Sequence, residues 1–128
     1  MTRDEERSRR YKDVETRWRA GLTEPDELFM NAGMKRDFNV QPHSGTENVT
    51  IEFDPPIPVF SDLGILLDRF CEETNAVTVG NVDAKVIERL TCRESEWTGF
   101  LVRFFGADRA MQFEETLSGA RQRENQRR

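Results

Sequence analysis

The side chains that most often carry chemistry are sparse in this 128-residue sequence. The single histidine, His43, lies in a polar segment, and no second histidine is present to complete a metal pair. The two cysteines, Cys71 and Cys92, are not at a metal-binding spacing. The sequence also lacks a phosphate-binding glycine-rich loop, a nucleophile elbow and a zinc motif. It therefore predicts a protein that is not an enzyme and that has neither a metal nor a cofactor.

Acidic residues occur in pairs that would serve acid–base catalysis only if they converged in space. The pairs are Glu72 with Glu73, Glu94 with Glu96, and Glu114 with Glu115. Adjacent residues of a helix point in different directions, and such pairs are typical of a solvated face. We expect them to lie at the surface.

Arginine is the most prominent candidate for binding. All but three of the 19 basic residues are arginine, and they crowd the two ends of the chain although the net charge is −5. Arginine forms bidentate hydrogen bonds with phosphate and stacks on aromatic rings. The residues predicted to contact RNA at the two ends are Arg7, Arg9, Arg10, Arg17, Trp18, Arg19, Arg121, Arg123, Arg127 and Arg128.

Trp18 stands on a narrow apolar stripe with Tyr11, Val14 and Leu22. A tryptophan offers a large apolar area and an indole donor, a combination that is enriched at binding hot spots. Two interpretations are open. Trp18 is partly exposed and anchors a partner, or the first helix folds back and Trp18 covers the core of its own domain.

Local signals predict the secondary structure. Thr2 and Glu5 form a capping box for a helix that ends near Arg19, and a second helix is predicted from Thr23 onward. Segment 40–47 has the composition of a loop. The elements predicted after it are a strand at 48–53 ended by prolines, a helix at 61–74 capped by Ser61, strands at 84–92 and 98–105, and a helix at 108–118 followed by Gly119. Whether residues 76–82 form a separate strand stays open.

This order predicts an α+β fold with two N-terminal helices followed by a ferredoxin-like β-α-β-β-α antiparallel sheet, the helices packed on one face. The predicted regions are an N-terminal helical region at 1–39, an α+β domain at 48–118 and a basic, disordered tail at 119–128. No apolar run approaches ~18 residues, so no membrane span is predicted. We expect an intracellular protein, whether cytoplasmic, nuclear or organellar.

One stretch of the predicted domain resembles a known family. The sequence GFLVRF at 99–104, followed by ADRAM at 107–111, is similar to the third strand and second helix of the RNA-recognition motif. The element order extends this resemblance over residues 48–118. The resemblance implies a sheet with an open face that contacts RNA bases. Alternation along the strand would place Arg103 and Phe105 on that face.

A second resemblance concerns the order of the elements and the stretch RWR at 17–19. Helices that carry a tryptophan, followed by β-α-β-β-α, resemble the small RNA-silencing suppressors of tombusviruses. The resemblance implies that Trp18 stacks on the end of a duplex RNA.

The sequence thus predicts a non-catalytic binding module, either an RNA-binding protein or a component of a ribonucleoprotein complex that uses its arginine-rich ends. The alternative is a protein–protein adaptor subunit that docks through the N-terminal helix or the open sheet face. An excess of acidic residues between 39 and 96 favours this alternative. A duplex-RNA-binding silencing suppressor is a third hypothesis.

Overall fold

A computed structural model describes residues 2–20 and 39–126 of the chain. In chain order the elements are α1 (Arg3–Arg19), β1 (Asn39–Pro42), β2 (Asn48–Pro58), α2 (Asp62–Glu73), β3 (Val77–Asn81), β4 (Val86–Arg93), α3 (Glu94–Phe105) and α4 (Ala107–Gln126). The described residues form an α+β fold with one antiparallel sheet of strand order β1-β2-β4-β3. The second predicted helix, which would begin at Thr23, lies outside the described residues.

The first helix is confirmed. The Thr2 hydroxyl accepts a hydrogen bond from the backbone N–H of Glu5, and the Glu5 carboxylate accepts one from the backbone N–H of Thr2. This capping box satisfies two amides that would otherwise lack partners at the start of the helix. α1 packs against α2 and buries Tyr11 and Val14.

The two central strands, β2 and β4, form one wall of the core. Val49 and Ile51 are fully buried, while Thr50 and Glu52 alternate with them on the other face. The prediction that this strand ends at its prolines is wrong. β2 continues to Pro58, with a register shift between Glu52 and Ile57. A strand tolerates proline at such an irregularity because the ladder hydrogen bonds are already interrupted there.

The strand predicted at 98–105 is wrong, because this segment belongs to helix α3. The buried side chains of the helix recur at intervals of three and four residues, which is the spacing of one helical face. They are Trp97, Phe100, Leu101, Phe104 and Phe105. The two-residue alternation within GFLVRF had favoured a strand over the helical spacing of three to four residues.

Two segments that were not assigned to strands complete the sheet. Residues Val77–Asn81 form β3, which pairs with β4 across a turn that contains Lys85 at φ +55°. Residues Asn39–Pro42 form β1 beside β2, although they were predicted to be part of a loop. The strand predicted at 84–92 is confirmed as β4, and the helix predicted at 61–74 is confirmed as α2, with Ser61 as its cap.

The last helix is longer than predicted. Gly106, at φ +92°, separates α3 from α4, a conformation that glycine adopts without strain. α4 buries Phe113 and Leu117 as expected, but it continues past Gly119 to Gln126. The predicted end at Gly119 is therefore wrong, and residues 119–126 are helical in this structure. The reason is packing: Ala120 is buried and lines a surface cleft with Val40 of β1.

Candidate binding surface

The sheet has a face that points away from the buried core. Thr50 is opposite Thr91 and Glu52 is opposite Arg89 in the register of β2 and β4, so these four side chains share that face. They border a groove of about 740 Å³, which we call the open-face groove. Its lining residues are Val40, Gln41, His43, Thr50, Glu52, Val79, Arg89, Thr91, Thr116 and Arg123.

The floor of the groove contains a chain of side-chain hydrogen bonds. His43 Nε2 lies 2.6 Å from Thr50 Oγ1, and Thr50 Oγ1 lies 2.9 Å from Thr91 Oγ1. The chain crosses β2 and β4 and reaches the residue that follows β1. These bonds hold three polar side chains in fixed positions on an exposed surface. The floor is therefore polar and already organised.

Two arginines reach the groove from different elements, Arg89 from β4 and Arg123 from α4. Within the part of the chain that the structure describes, neither of them forms an ion pair with a carboxylate. Glu52 is the acidic member of the lining. The lining therefore contains two arginines and one glutamate, which gives it a net positive charge.

The β3 edge, defined as residues 77–82, is the second exposed feature. Among the described strands β3 pairs with β4 alone, so its other side presents backbone N–H and C=O groups without a strand partner. The side chains of Val77, Val79 and Val82 are 61%, 55% and 87% exposed. No charged residue and no proline interrupts this segment. Natural sheets usually protect their edges with such residues, so the β3 edge has the properties of a docking site.

A smaller pocket of about 250 Å³ lies between α1, α2 and α3. Phe100 and Phe104 are among the apolar residues that line it, and Arg69 and Arg103 are among the charged ones. These charges are balanced within the chain. Arg103 donates to Glu15 at 3.1 Å, and Arg69 forms ion pairs with acidic residues of its own helix.

The titratable groups of the core favour their neutral forms. Burial raises the pKa of Cys71 to about 11 and that of Cys92 to about 12. Burial, together with the hydrogen bond to Glu15, raises the pKa of Tyr11 to about 12. A nucleophilic thiol requires the opposite shift. In the described ranges no group of His, Cys, Asp and Glu side chains could hold a metal ion, and none of the described helices is long and apolar enough to cross a membrane.

Many of the arginines predicted to bind RNA are held by carboxylates of the same chain. The ion pairs are Arg7 with Asp68 and Glu72, Arg17 with Asp62, Arg19 and Arg103 with Glu15, and Arg121 with Glu94. They fasten α1 to α2 and α3, and α4 to α3. Sequence analysis did not predict this pairing because each arginine, except Arg19, has a partner that is distant in the chain.

The remaining predicted arginines lie at separate places. Arg9 is exposed on α1 near Asp4 and Asp13, and the guanidinium of Arg10 lies 5.9 Å from the centre of the Phe60 ring. Arg123 reaches the open-face groove. The last two predicted residues, Arg127 and Arg128, lie outside the described residues.

Arg103 and Phe105 do not lie on the open sheet face, and that prediction is wrong. Phe105 is buried in the core, and Arg103 lies on α3 next to Glu15 of α1. Both positions follow from the helical structure of this segment. Trp18 is half-buried and packs edge-to-face against Phe104 and Phe105, with ring centroids 5.7 and 5.2 Å away. In this structure Trp18 covers the core of its own domain.

Comparison of the chain with protein-family models, with curated proteins and with solved structures found no match. Residues 76–82 were left open as a strand and were not predicted to be a docking site, and Arg89 was not predicted to be a site residue. The run AVTVGNV at 76–82, rich in β-branched residues and without charge, was a usable signal for the edge. Arg89 gave no such signal, because its place on the open face depends on the register with β2.

Proposed function

We propose that the protein is a non-catalytic adaptor module that binds an extended strand of a partner protein at the β3 edge. The exposure of Val77 and Val79 on an uncharged edge strand carries this proposal. A strand added to an edge pairs with the free main-chain groups, and alternate side chains supply the specificity. Val77 and Val79 are two residues apart, so both would contact the same face of the added strand.

The other docking route considered for an adaptor, the N-terminal helix, has less surface to offer. Tyr11 and Val14 are buried against the protein itself, and Trp18 is half-buried on two phenylalanine rings. The apolar stripe of α1 is thus largely buried against its own domain. This supports the sheet rather than the helix as the docking element.

We also propose that the fold is of the ferredoxin-like type. In support of this, α2 connects β2 to β3, and β4 lies between these two strands, which is a split β-α-β arrangement. β1 lies on the far side of β2 and precedes it in the chain. In this assignment β1 takes the place that a last strand after α4 would otherwise fill.

The adaptor proposal is tested with a charge on the β3 edge. Val77→Lys places a solvated cation where the partner strand would pair. The matched control is Val102→Lys, which makes the same change at a valine of α3 that is 50% exposed. Tagged proteins are purified from cells, and the bound chains are compared at low and high salt. We expect wild type and Val102→Lys to retain a partner at high salt and Val77→Lys to lose it. Retention of the same partner by Val77→Lys would refute the proposal.

RNA binding through the arginine-rich ends is the second candidate function, and the exposure of the ion pairs favours it. The Arg7 and Arg19 side chains are 43% and 70% exposed within their ion pairs. Exposed pairs contribute roughly 0–1 kcal/mol, so a phosphate group could displace the carboxylates. Such binding would weaken steeply with added salt. This candidate would be excluded if RNA affinity were unchanged both by joint replacement of Arg7, Arg9 and Arg10 by Ala and by deletion of residues 121–128.

A further inference from the structure

We propose that the open-face groove binds a small organic phosphate of the sugar-phosphate type. The groove shares Val79 with the β3 edge, but this proposal does not depend on the adaptor function. Arg89 and Arg123 line one groove and have no carboxylate partner in the described chain. Arginines elsewhere, such as Arg7, Arg17 and Arg103, are held in ion pairs. The groove is therefore lined by two arginines that are not held in ion pairs within the described chain.

The chemistry of the lining fits a phosphate attached to a hydroxylated body. A guanidinium group donates two parallel hydrogen bonds to phosphate oxygens. The Thr50 and Thr91 hydroxyls and the His43 ring, already joined to one another, can each exchange a hydrogen bond with ligand oxygens. The arginines would hold the anionic end of the ligand, and the polar floor would hold its hydroxyl groups.

The size and composition of the groove favour a small molecule over an RNA strand. A volume of about 740 Å³ lies within the range of ligand sites, roughly 300–1,000 Å³. Non-specific binding of single-stranded RNA relies on aromatic side chains that stack on successive bases. Among the described residues, those that line the groove include no Phe, Tyr or Trp. The lining can bind phosphate and hydroxyl groups, but it offers no stacking platform.

Glu52 provides a specific test because its charge should weaken the binding of a phosphate. It faces Arg89 across the strands and lines the same groove. Its negative charge repels a phosphate and partly offsets the attraction of Arg89. Glu52→Gln keeps the size and polarity of the side chain and removes the charge. A phosphate site therefore predicts tighter binding for this variant, an outcome that a merely structural role of Glu52 would not produce.

The experiment is calorimetric titration of the 128-residue chain with ribose 5-phosphate at low salt. We expect Arg89→Gln and Arg123→Gln each to weaken binding by about tenfold or more, and Glu52→Gln to strengthen it several-fold. The matched control is Arg9→Gln, which changes an exposed arginine of α1 that does not line the groove. This variant should bind like wild type. Circular dichroism confirms that each variant is folded.

Three results would overturn the inference. One is the absence of binding by the wild-type protein at millimolar ribose 5-phosphate. Another is unchanged affinity in both Arg89→Gln and Arg123→Gln. The third comes from a parallel titration with labelled decauridylate. If the oligonucleotide binds more tightly than ribose 5-phosphate, its affinity falls steeply with salt, and Arg89→Gln and Arg123→Gln both weaken it, the groove contacts an RNA backbone instead.

Discussion

The two edge strands of the sheet differ in whether a helix packs against them. β1 has four residues, ends at Pro42 and has α4 packed against it, where Val40 is buried and shares a cleft with Ala120. β3 carries no proline and no charge, and the side chains of Val77 and Val79 are exposed. Closing one edge with a helix removes a site for unwanted pairing. The other edge keeps its capacity to pair, and this difference is the basis for assigning the partner site to β3.

The largest effect is expected where the closed edge meets the core. Phe113 of α4 is fully buried, so Phe113→Ala should reduce the free energy of unfolding by about 3–5 kcal/mol. Val77→Ala on the open edge should change it by no more than about 0.5 kcal/mol. Urea denaturation of both variants measures the contrast. Similar losses at the two positions would contradict the distinction between a packed and an open edge.

An intermediate effect is expected where the open edge is attached to the sheet. At Gly80 a Cβ atom would collide with the backbone carbonyl oxygen of Val86, so Gly80→Ala should cost about 1–3 kcal/mol. Gly99 is the control, because a Cβ atom there meets nothing within 4 Å. Since Gly99 lies inside α3, Gly99→Ala should stabilise the protein by about 0.5–1 kcal/mol. If Gly80→Ala is as harmless as Gly99→Ala, β3 is not held as closely to β4 as the structure shows.

The smallest effect concerns the contact between α3 and α4 that supports the closed edge. Burial raises the pKa of Glu114, and the neighbouring Glu94 carboxylate raises it as well, against a hydrogen bond from Thr98 that lowers it. A raised pKa in the folded state means that protonation of Glu114 stabilises the fold in acid. That stabilisation is lost as the pH rises through the folded-state pKa.

Glu114→Gln removes the like charge and keeps an oxygen that can accept the hydrogen bond from Thr98. We expect this variant to be more stable than wild type by about 0.5 kcal/mol at neutral pH, with the gain shrinking as the solution is acidified. Thermal melts over a pH series measure it. A gain that grows in acid would show that Glu114 is not repelled by Glu94.

The elements that the sequence predicted correctly are those with local signals. α1 has its capping box at Thr2 and Glu5, and α2 has Ser61 as a cap and a regular apolar face. Residues 94–105 were assigned wrongly because a six-residue alternation was given more weight than the helical spacing of the five buried residues. β1 and β3 were missed or left open because a short strand is defined by its pairing with distant residues.

The binding surface was harder to predict than the fold. A count of arginines does not show which of them have carboxylate partners, and Arg7 pairs with Asp68, 61 residues away. The groove likewise is lined by both Arg89 and Arg123, and this depends on how α4 packs beside β1. Only the uncharged composition of the β3 edge could be read from the sequence itself.

We propose that a partner strand pairs with β3 and not with β1. This pairing is tested most directly by placing a photo-crosslinking amino acid at Thr78 of β3 in one protein and at Gln41 of β1 in another. Both residues are exposed, so neither substitution disturbs the core. After irradiation in cells, we predict a covalent adduct with a partner chain from position 78, and none from position 41. An adduct from position 41 with none from position 78 would contradict the account.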